Sequence, residues 1–308
     1  MGSTGLQVSA LGLGTVELGV PYGIGNPAPP SDRECIHLLH WAQDQGISYF
    51  DTAAGYGRSE ELLGRAFRGR TPRPTIATKV AIHDGKSGKL LSGKDLASRV
   101  EMSLLNSRRL LGVDSLELLQ IHAPGQGRFL SEELLDLMEQ LSEAGQVRLW
   151  GVSTYGLDQP LHALAHAGTI RSLQVAFNLL DRAPARALFP GCTKAGVGLI
   201  LRSAFLKGAL TERLDALPEA LAPLKKAGRM ARVIADQLGL ALPALALRYC
   251  ASQEHAQVVL VGTADKGELA GNLEAFAAGP LPDEVLASIA TIDIEDQALL
   301  NPGNWGIS

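Results

Sequence analysis

A chain of 308 residues, 46% of them hydrophobic, can bury a large core, and its length allows two ordinary domains or one α/β barrel. Its formal charge of −4 comes from interspersed acidic and basic residues with no basic block, which argues against nucleic acid as a partner. Neither a signal peptide nor an apolar run near the ~18 residues of a membrane span is legible, so a cytoplasmic protein with no membrane partner is expected.

In chain order, residues 3–9 alternate small and apolar side chains around a glycine and read as a short hairpin plugging a barrel bottom. Strand 10–14 follows, then an irregular Pro- and Gly-rich stretch over 17–30. Helix 31–45 opens on Ser31-Asp32 and keeps Ile36, Leu39 and Ala42 near one stripe. Apolar runs predict strands at 48–52, 75–80 and 116–122, with a helix over 94–111 between the last two. Helix 131–144 starts on Ser131-Glu132-Glu133 and stops at Gly145. Strand 149–153, helix 159–166 and strands 173–177 and 198–202 come next, then an irregular segment over 205–223. Helices 224–238 and 242–252, strand 258–262 and helix 265–278 complete the pattern. Regular βα alternation with eight strands predicts one α/β domain over 1–308, a closed (β/α)8 barrel with an N-terminal hairpin and extra C-terminal helices. Long loops in compact domains are usually functional, and in such a barrel the loops after strands build the active face.

Three of these strands end in chemistry. Phe50-Asp51 is followed five residues on by Tyr56, Lys79 sits at the end of the next strand, and Ile121-His122 closes the one after. An acid, a phenol, an amine and an imidazole thus stand at equivalent points of successive βα units, and in a parallel barrel those points converge. The set resembles the tetrad of the aldo-keto reductases, and the likeness runs from Leu11-Gly12-Leu13-Gly14-Thr15 to Asn272. The resemblance implies a TIM barrel that reduces an aldehyde or ketone, an aldose included, with a nicotinamide cofactor. Tyr56 then gives the proton, Lys79 eases its departure, Asp51 keeps the buried amine charged, and His122 orients the carbonyl and stabilises its developing charge. Two alternatives stay open: an aldose dehydrogenase working in the oxidative direction, and a cofactor-binding regulatory subunit of the same fold.

The resemblance also implies where a cofactor lies. Gly14, Thr15 and Asp51 would border it, and Ser153, Thr154 and Gln174 would face the nicotinamide amide, Thr154 replacing the usual Asn. Arg202 stands where an aromatic ring is expected, and its guanidinium can stack on the nicotinamide or meet a phosphate. Ser203, Ala204, Phe205, Leu206, Lys207 and Gly208 resemble the pyrophosphate loop, and Gly262, Thr263, Lys266, Glu268, Leu269 and Asn272 the adenosine segment. The family favours NADPH, but Gly262 and Glu268 occupy positions where basic residues often hold a 2′-phosphate, which keeps NADH as the alternative. For a small carbonyl or sugar substrate the candidates are Val16, Tyr22, Phe129 and Trp305, with Glu17, Asn304 and residues 126–128 beside them.

Other motifs carry less. Gly12-Leu13-Gly14 lacks the third glycine and the following helix of a dinucleotide fingerprint. His162 and His166 are four apart, but Ala163 sits where a metalloprotease glutamate belongs, so no metal is expected. Cys35, Cys192 and Cys250 are too scattered for a disulfide framework or zinc site and read as buried thiols. Oligomeric state is not legible.

Overall fold

The computed structural model describes residues 1–25, 28–122 and 128–306. Eight parallel strands close a barrel in sequence order: β1 (Leu11–Gly14), β2 (Tyr49–Asp51), β3 (Thr75–Val80), β4 (Leu118–His122), β5 (Trp150–Thr154), β6 (Ile170–Ala176), β7 (Gly198–Arg202) and β8 (Val258–Gly262). The ring shuts where β1 pairs with β8, Gly14 lying against Gly262. Around it run α1 (Val16–Gly19), α2 (Asp32–Asp44), α3 (Ser59–Ala66), α4 (Gly93–Leu111), α5 (Glu132–Glu143), α6 (Asp158–Leu164), α7 (Ala183–Ala187), α8 (Phe189–Ala195), α9 (Ala222–Gln237), α10 (Leu242–Ala251), α11 (Lys266–Ala277) and α12 (Asp283–Ala290). Among the described residues no single helix is long and apolar enough to cross a membrane.

Strand periodicity sorts the side chains into two cores. Phe50, Ile76, Leu119, Val152, Leu173 and Leu199 point outward beneath the helices, whereas Tyr49, Ala77, Leu118, Ile200, Val258 and Leu260 fill the lumen. Because alternate residues share a face, stepping two positions beyond an inward apolar residue puts Asp51, Lys79 and Arg202 on that same inner face, nearer the strand ends. The lower lumen is apolar and the upper lumen polar, and this gradient positions the site.

The helices start where the sequence offers caps. Ser31 and Glu34 form a capping box on α2, and the Asp265 carboxylate accepts from Glu268 N at 2.8 Å on α11. Several helices escape the sequence pattern, α1 among them because it falls in the stretch read as irregular. The eight residues of α3 are too few to show a period, and α7 and α8 each begin on a proline-containing turn that reads as a breaker.

The expected N-terminal hairpin is absent: no strand lies among residues 1–10. Gly2 and Gly5, at φ of 49° and 75°, turn the chain, and its donors go to local or distant carbonyls, Ser3 N to Gly196 O and Thr4 N to Met1 O. The segment still closes the barrel bottom, with Met1 and Val8 packed against the lumen core. All three cysteines are buried and unpaired.

One tight contact orients the turn that carries Tyr56. A Cβ at Gly19, the last residue of α1, would overlap the Tyr56 carbonyl oxygen, and Gly57 in turn crowds Gly19 at a φ of 54°. Gly19→Ala is therefore expected to displace the 54–58 turn, destabilising the fold by about 1–3 kcal/mol, the usual cost of overpacking. Urea unfolding of the variant against the parent checks this.

Candidate active site

Inside the upper lumen a buried ammonium and a buried carboxylate meet. Lys79, 1% exposed, donates from Nζ to Asp51 Oδ2 at 2.5 Å and to the Thr52 carbonyl at 2.8 Å. The other carboxylate oxygen, Asp51 Oδ1, accepts from Gln174 Nε2 at 2.6 Å and Gln120 Nε2 at 3.3 Å. Both charges are thus paired and hydrogen-bonded, the condition under which a buried ion pair is tolerated. The β-sheet register supplies the partners, since Lys79 lies against Gln120 on β4 and Ser153 against Gln174 on β6.

Tyr56 hangs over this pair from the turn between β2 and α3. Its ring centroid is 4.9 Å from Lys79 Nζ, and its backbone is pinned by Tyr56 N to Ala53 O and Ser59 N to Tyr56 O. Beneath the turn, Thr15 and Thr52 hydroxyls converge on Ser59 Oγ at 2.6 and 2.9 Å. The His122 ring stands edge-on to Tyr56, centroids 5.8 Å apart. Burial, then the charges of Lys79 and Arg202, push the His122 pKa down to about 3, so its imidazole is neutral at ordinary pH and carries one N–H and one lone pair. A phenol beside a cation and a neutral N–H donor at one cavity floor can supply a proton and a hydrogen bond to the same oxygen.

Above them opens a cavity of about 510 Å³. Asp51, Tyr56 and His122 border its floor. Gly14, Thr15, Val16, Glu17 and Tyr22 line one wall, and Ser153, Gln174 and Arg202 another. Ser203, Ala204, Phe205, Lys207 and Gly208 arch over it toward Gly262, Glu268 and Asn272. Nine expected contacts among the described residues do not line it, the exposed Arg128 and Asn304 among them. Thr154, Leu206 and Leu269 are fully buried, and Thr263 turns its hydroxyl to Glu268 Oε2 at 2.6 Å. Lys266 lies 5.0 Å over the Trp41 ring. Phe129 packs edge-on against His162, and Trp305, 7% exposed, donates its indole N–H to Leu299 O at 2.8 Å. Gln126 and Gly127 lie outside the described residues.

The arch after β7 holds strained backbone. Ser203, Leu206 and Lys207 adopt φ of 64°, 44° and 53°, values that side chains rarely accept. Leu206 anchors it in the core while Asn178 Nδ2 donates to Ser203 O at 3.2 Å. Arg202 is braced at its start, donating to Thr154 O at 2.7 Å and Ser203 Oγ at 3.0 Å, with its guanidinium 3.9 Å over the Tyr155 ring. One face of that guanidinium is therefore already stacked, on a residue the sequence pattern does not single out.

Across the far end, Arg213 reaches Glu268 Oε1 at 3.5 Å. Its turn is tied to α9 through Asp215, which accepts from Arg229 and Arg232. Glu17 faces the same cluster, its pKa raised by burial and by Glu268 and offset in part by Arg213. Burial also pushes the Tyr22 phenol up to about 12. Arg213 is legible beforehand only as part of an unusually long loop.

Comparison with known proteins agrees with the barrel fold. The model of the Aldo/keto reductase family matches residues 10–294. "Aldo-keto reductase YhdN" of Bacillus subtilis is 27% identical over 97% of this chain and 90% of its own length. "L-galactose dehydrogenase" of Arabidopsis thaliana is 29% identical over 89% of this chain and 86% of its own. The holo form of aldo-keto reductase AKR11C1 from Bacillus halodurans superposes with a TM-score of 0.77 at 25% identity, covering 95% of this chain and 94% of that one.

The depressed His122 pKa has a stability consequence. Between its unfolded value near 6.5 and about 3, the unfolded chain binds a proton the folded one refuses, so stability falls as pH drops through that window. The slope from this group is at most about 1.4 kcal/mol per pH unit. His122→Asn should flatten it, so that urea midpoints at pH 7 and pH 5 differ less in the variant than in the parent.

Proposed function

The chain belongs to the aldo/keto reductase family, and from that premise we propose that it reduces the carbonyl of a small, hydroxyl-bearing molecule, with Tyr56 as proton donor. It is an NAD(P)H-dependent oxidoreductase of a family acting on carbonyls or sugars. The observation that carries the reading is the Lys79 ammonium lying 4.9 Å from the Tyr56 ring centroid while bonded to Asp51 at the cavity floor. One barrel domain over residues 1–308 carries the whole reaction.

The residues fit a dinucleotide. The cavity runs from the Tyr56 floor to Asn272 on α11, under the strained arch that carries Ser203 and Lys207. A nicotinamide held there, its carboxamide toward Ser153 and Gln174, would supply the hydride that the carbonyl carbon takes up. As charge gathers on the carbonyl oxygen, Tyr56 releases its proton to it and Lys79 stabilises the phenolate left behind. Asp51 answers the charge of the buried Lys79 ammonium and fixes its place beside the Tyr56 ring. His122 donates an N–H to the same oxygen and fixes the carbonyl's direction. Gln174 has its amide N–H on Asp51 and receives the Ser153 hydroxyl at 2.9 Å, so the pair offers acceptor lone pairs to a carboxamide. Tyr56→Phe should lower turnover of a reducible aldehyde at least ~100-fold while leaving cofactor affinity, read by fluorescence titration, nearly intact. Wild-type turnover would rule out Tyr56 as the donor.

The same groups run the reverse step, and the L-galactose dehydrogenase relative supports a sugar oxidation as the second reading. For the cofactor, NADPH is favoured with NADH close behind. Arg213 lines the far end of the cavity, but Glu268 lies 3.5 Å from it and Glu17 adds a second carboxyl. Glu268→Arg should raise the NADPH to NADH ratio of kcat/KM by ~10-fold or more, measured by paired steady-state kinetics. An unchanged ratio would remove Glu268 from the adenosine ribose.

A further inference from the structure

The helix that follows the Tyr56 turn starts differently from its neighbours. Among the described residues α3 makes no side-chain cap at Arg58, whereas Ser31 and Asp265 cap α2 and α11. Its first two residues, Ser59 and Glu60, turn into the fold and are 0% and 1% exposed. An acid in a first helical turn ordinarily faces water while it complements the helix dipole, so the burial of Glu60 needs another reason.

Three hydroxyls meet at Ser59, and their hydrogens can be counted. The Thr15 hydroxyl donates to the Asp51 carbonyl at 2.8 Å, and a carbonyl only accepts. That uses its single hydrogen, so in the 2.6 Å contact between the two hydroxyls Ser59 donates and Thr15 accepts. The Thr52 hydroxyl donates to Ser59 Oγ at 2.9 Å. The chain runs one way, from Thr52 through Ser59 and Thr15 to the Asp51 backbone, with each hydrogen used once. Residue 59 must both accept and donate there, which a hydroxyl does and a methyl does not.

Glu60 makes the matching contact on the next strand. Its carboxylate accepts from Thr78 Oγ1 at 2.6 Å, and the buried Ser107 hydroxyl of α4 lies beside it. Burial raises the Glu60 pKa, and the Thr78 and Ser107 hydroxyls and the Lys79 ammonium offset it in part. Side chains alternate along a strand, so the hydroxyl that Glu60 holds and the Lys79 amine leave adjacent residues of β3 on opposite faces. A pattern joins these contacts. Thr52 follows Asp51, Thr78 precedes Lys79, and Ser59 N donates to the Tyr56 carbonyl at 3.0 Å. Every group that grips the start of α3 is thus next in the chain, or bonded, to Asp51, Lys79 or Tyr56.

We propose that Ser59 and Glu60 are positioning residues, a two-point clamp that holds the Tyr56 phenol in register with the Lys79 ammonium and the His122 ring. The inference rests on the reading above in which Tyr56 is the proton donor, and adds to it the pair through which the fold aims that phenol. A misplacement of about 1 Å can cost ~100-fold in rate, so loss of either grip should appear in kcat and not in binding.

Two readouts separate aim from folding. Ser59→Ala and Glu60→Leu should each lower kcat for a reducible aldehyde by ~10-fold or more, with KM and cofactor affinity within about twofold of the parent. Glu60→Gln keeps the shape and an acceptor for Thr78 and should recover most of the loss. In histidine-labelled protein, the ring-proton shift of His122, which the edge-on Tyr56 ring perturbs, should move in Ser59→Ala toward its value in Tyr56→Leu. If either variant fails to fold, Thr78→Val removes only the hydroxyl that Glu60 holds and should show the same loss of kcat and the same change of shift. A parental His122 shift in the folded variants would overturn the clamp whatever the rate, and so would equal losses in Glu60→Gln and Glu60→Leu. A moved shift with parental kcat would uphold the clamp and remove Tyr56 as donor. If the parent reduces no aldehyde, the reductase reading fails, and the His122 shift still decides the clamp.

Discussion

A lysine ammonium buried in a β-barrel lumen is unstable unless something answers its charge, and the upper half of this molecule is arranged around that requirement. Asp51 answers it directly, and the Asp51 carboxylate is satisfied in turn by Gln120 and Gln174 from strands on other sides of the ring. Removing one partner of such a pair typically costs about 3–5 kcal/mol, because the other charge is left buried alone. The polar network therefore fixes β2, β3, β4 and β6 relative to one another at the height where Tyr56 and His122 meet. It also sets the local potential: the cation that lies against the Tyr56 ring is among the charges that keep His122 neutral.

Strain and bracing complete the site. The turn bearing Tyr56 is held by a close approach of α1 that only glycine permits, and the arch after β7 is held in left-handed conformations by a buried leucine and an asparagine from the β6 end. Both segments trade local comfort for a fixed position over one cavity, which packed surroundings make possible. Arg202 joins the two halves of the upper rim, since its guanidinium binds β5 backbone and the arch while resting on Tyr155. Tyr155 thereby becomes a wall of two cavities, one floored by Tyr56 and His122 and the other bordered by Asp181.

How much of this was legible in the chain depends on the range of the interaction. Strand positions such as 75–80, 198–202 and 258–262 follow from short apolar runs and agree with the observed β3, β7 and β8. Closure into a barrel and convergence of Asp51, Tyr56, Lys79 and His122 follow from repeating one βα unit, because equivalent strand ends must meet at one face. The hairpin expectation failed because alternation of small and apolar residues over 3–9 does not supply a pairing partner, and the two glycines turn the chain instead. Thr154 was expected at the site through the family resemblance and Phe129 and Trp305 by their place in the sequence, yet Thr154 is fully buried, Phe129 packs against His162 and Trp305 turns its indole to Leu299.

The sequence by itself determined the elements with a clear period, the three residues Asp51, Lys79 and His122 whose strand-end positions repeat, and Tyr56 in the turn after the first of them, since these are properties of neighbours in the chain. Only the tertiary structure decided which partners complete them. Gln120 and Gln174 on Asp51, Tyr155 under Arg202, Arg213 on Glu268 and Asp181 in its own cavity depend on strand register and on loops that meet across tens of residues. Such pairings leave no local mark, because each side chain is ordinary in its own segment and acquires its chemistry from what closure of the barrel sets beside it.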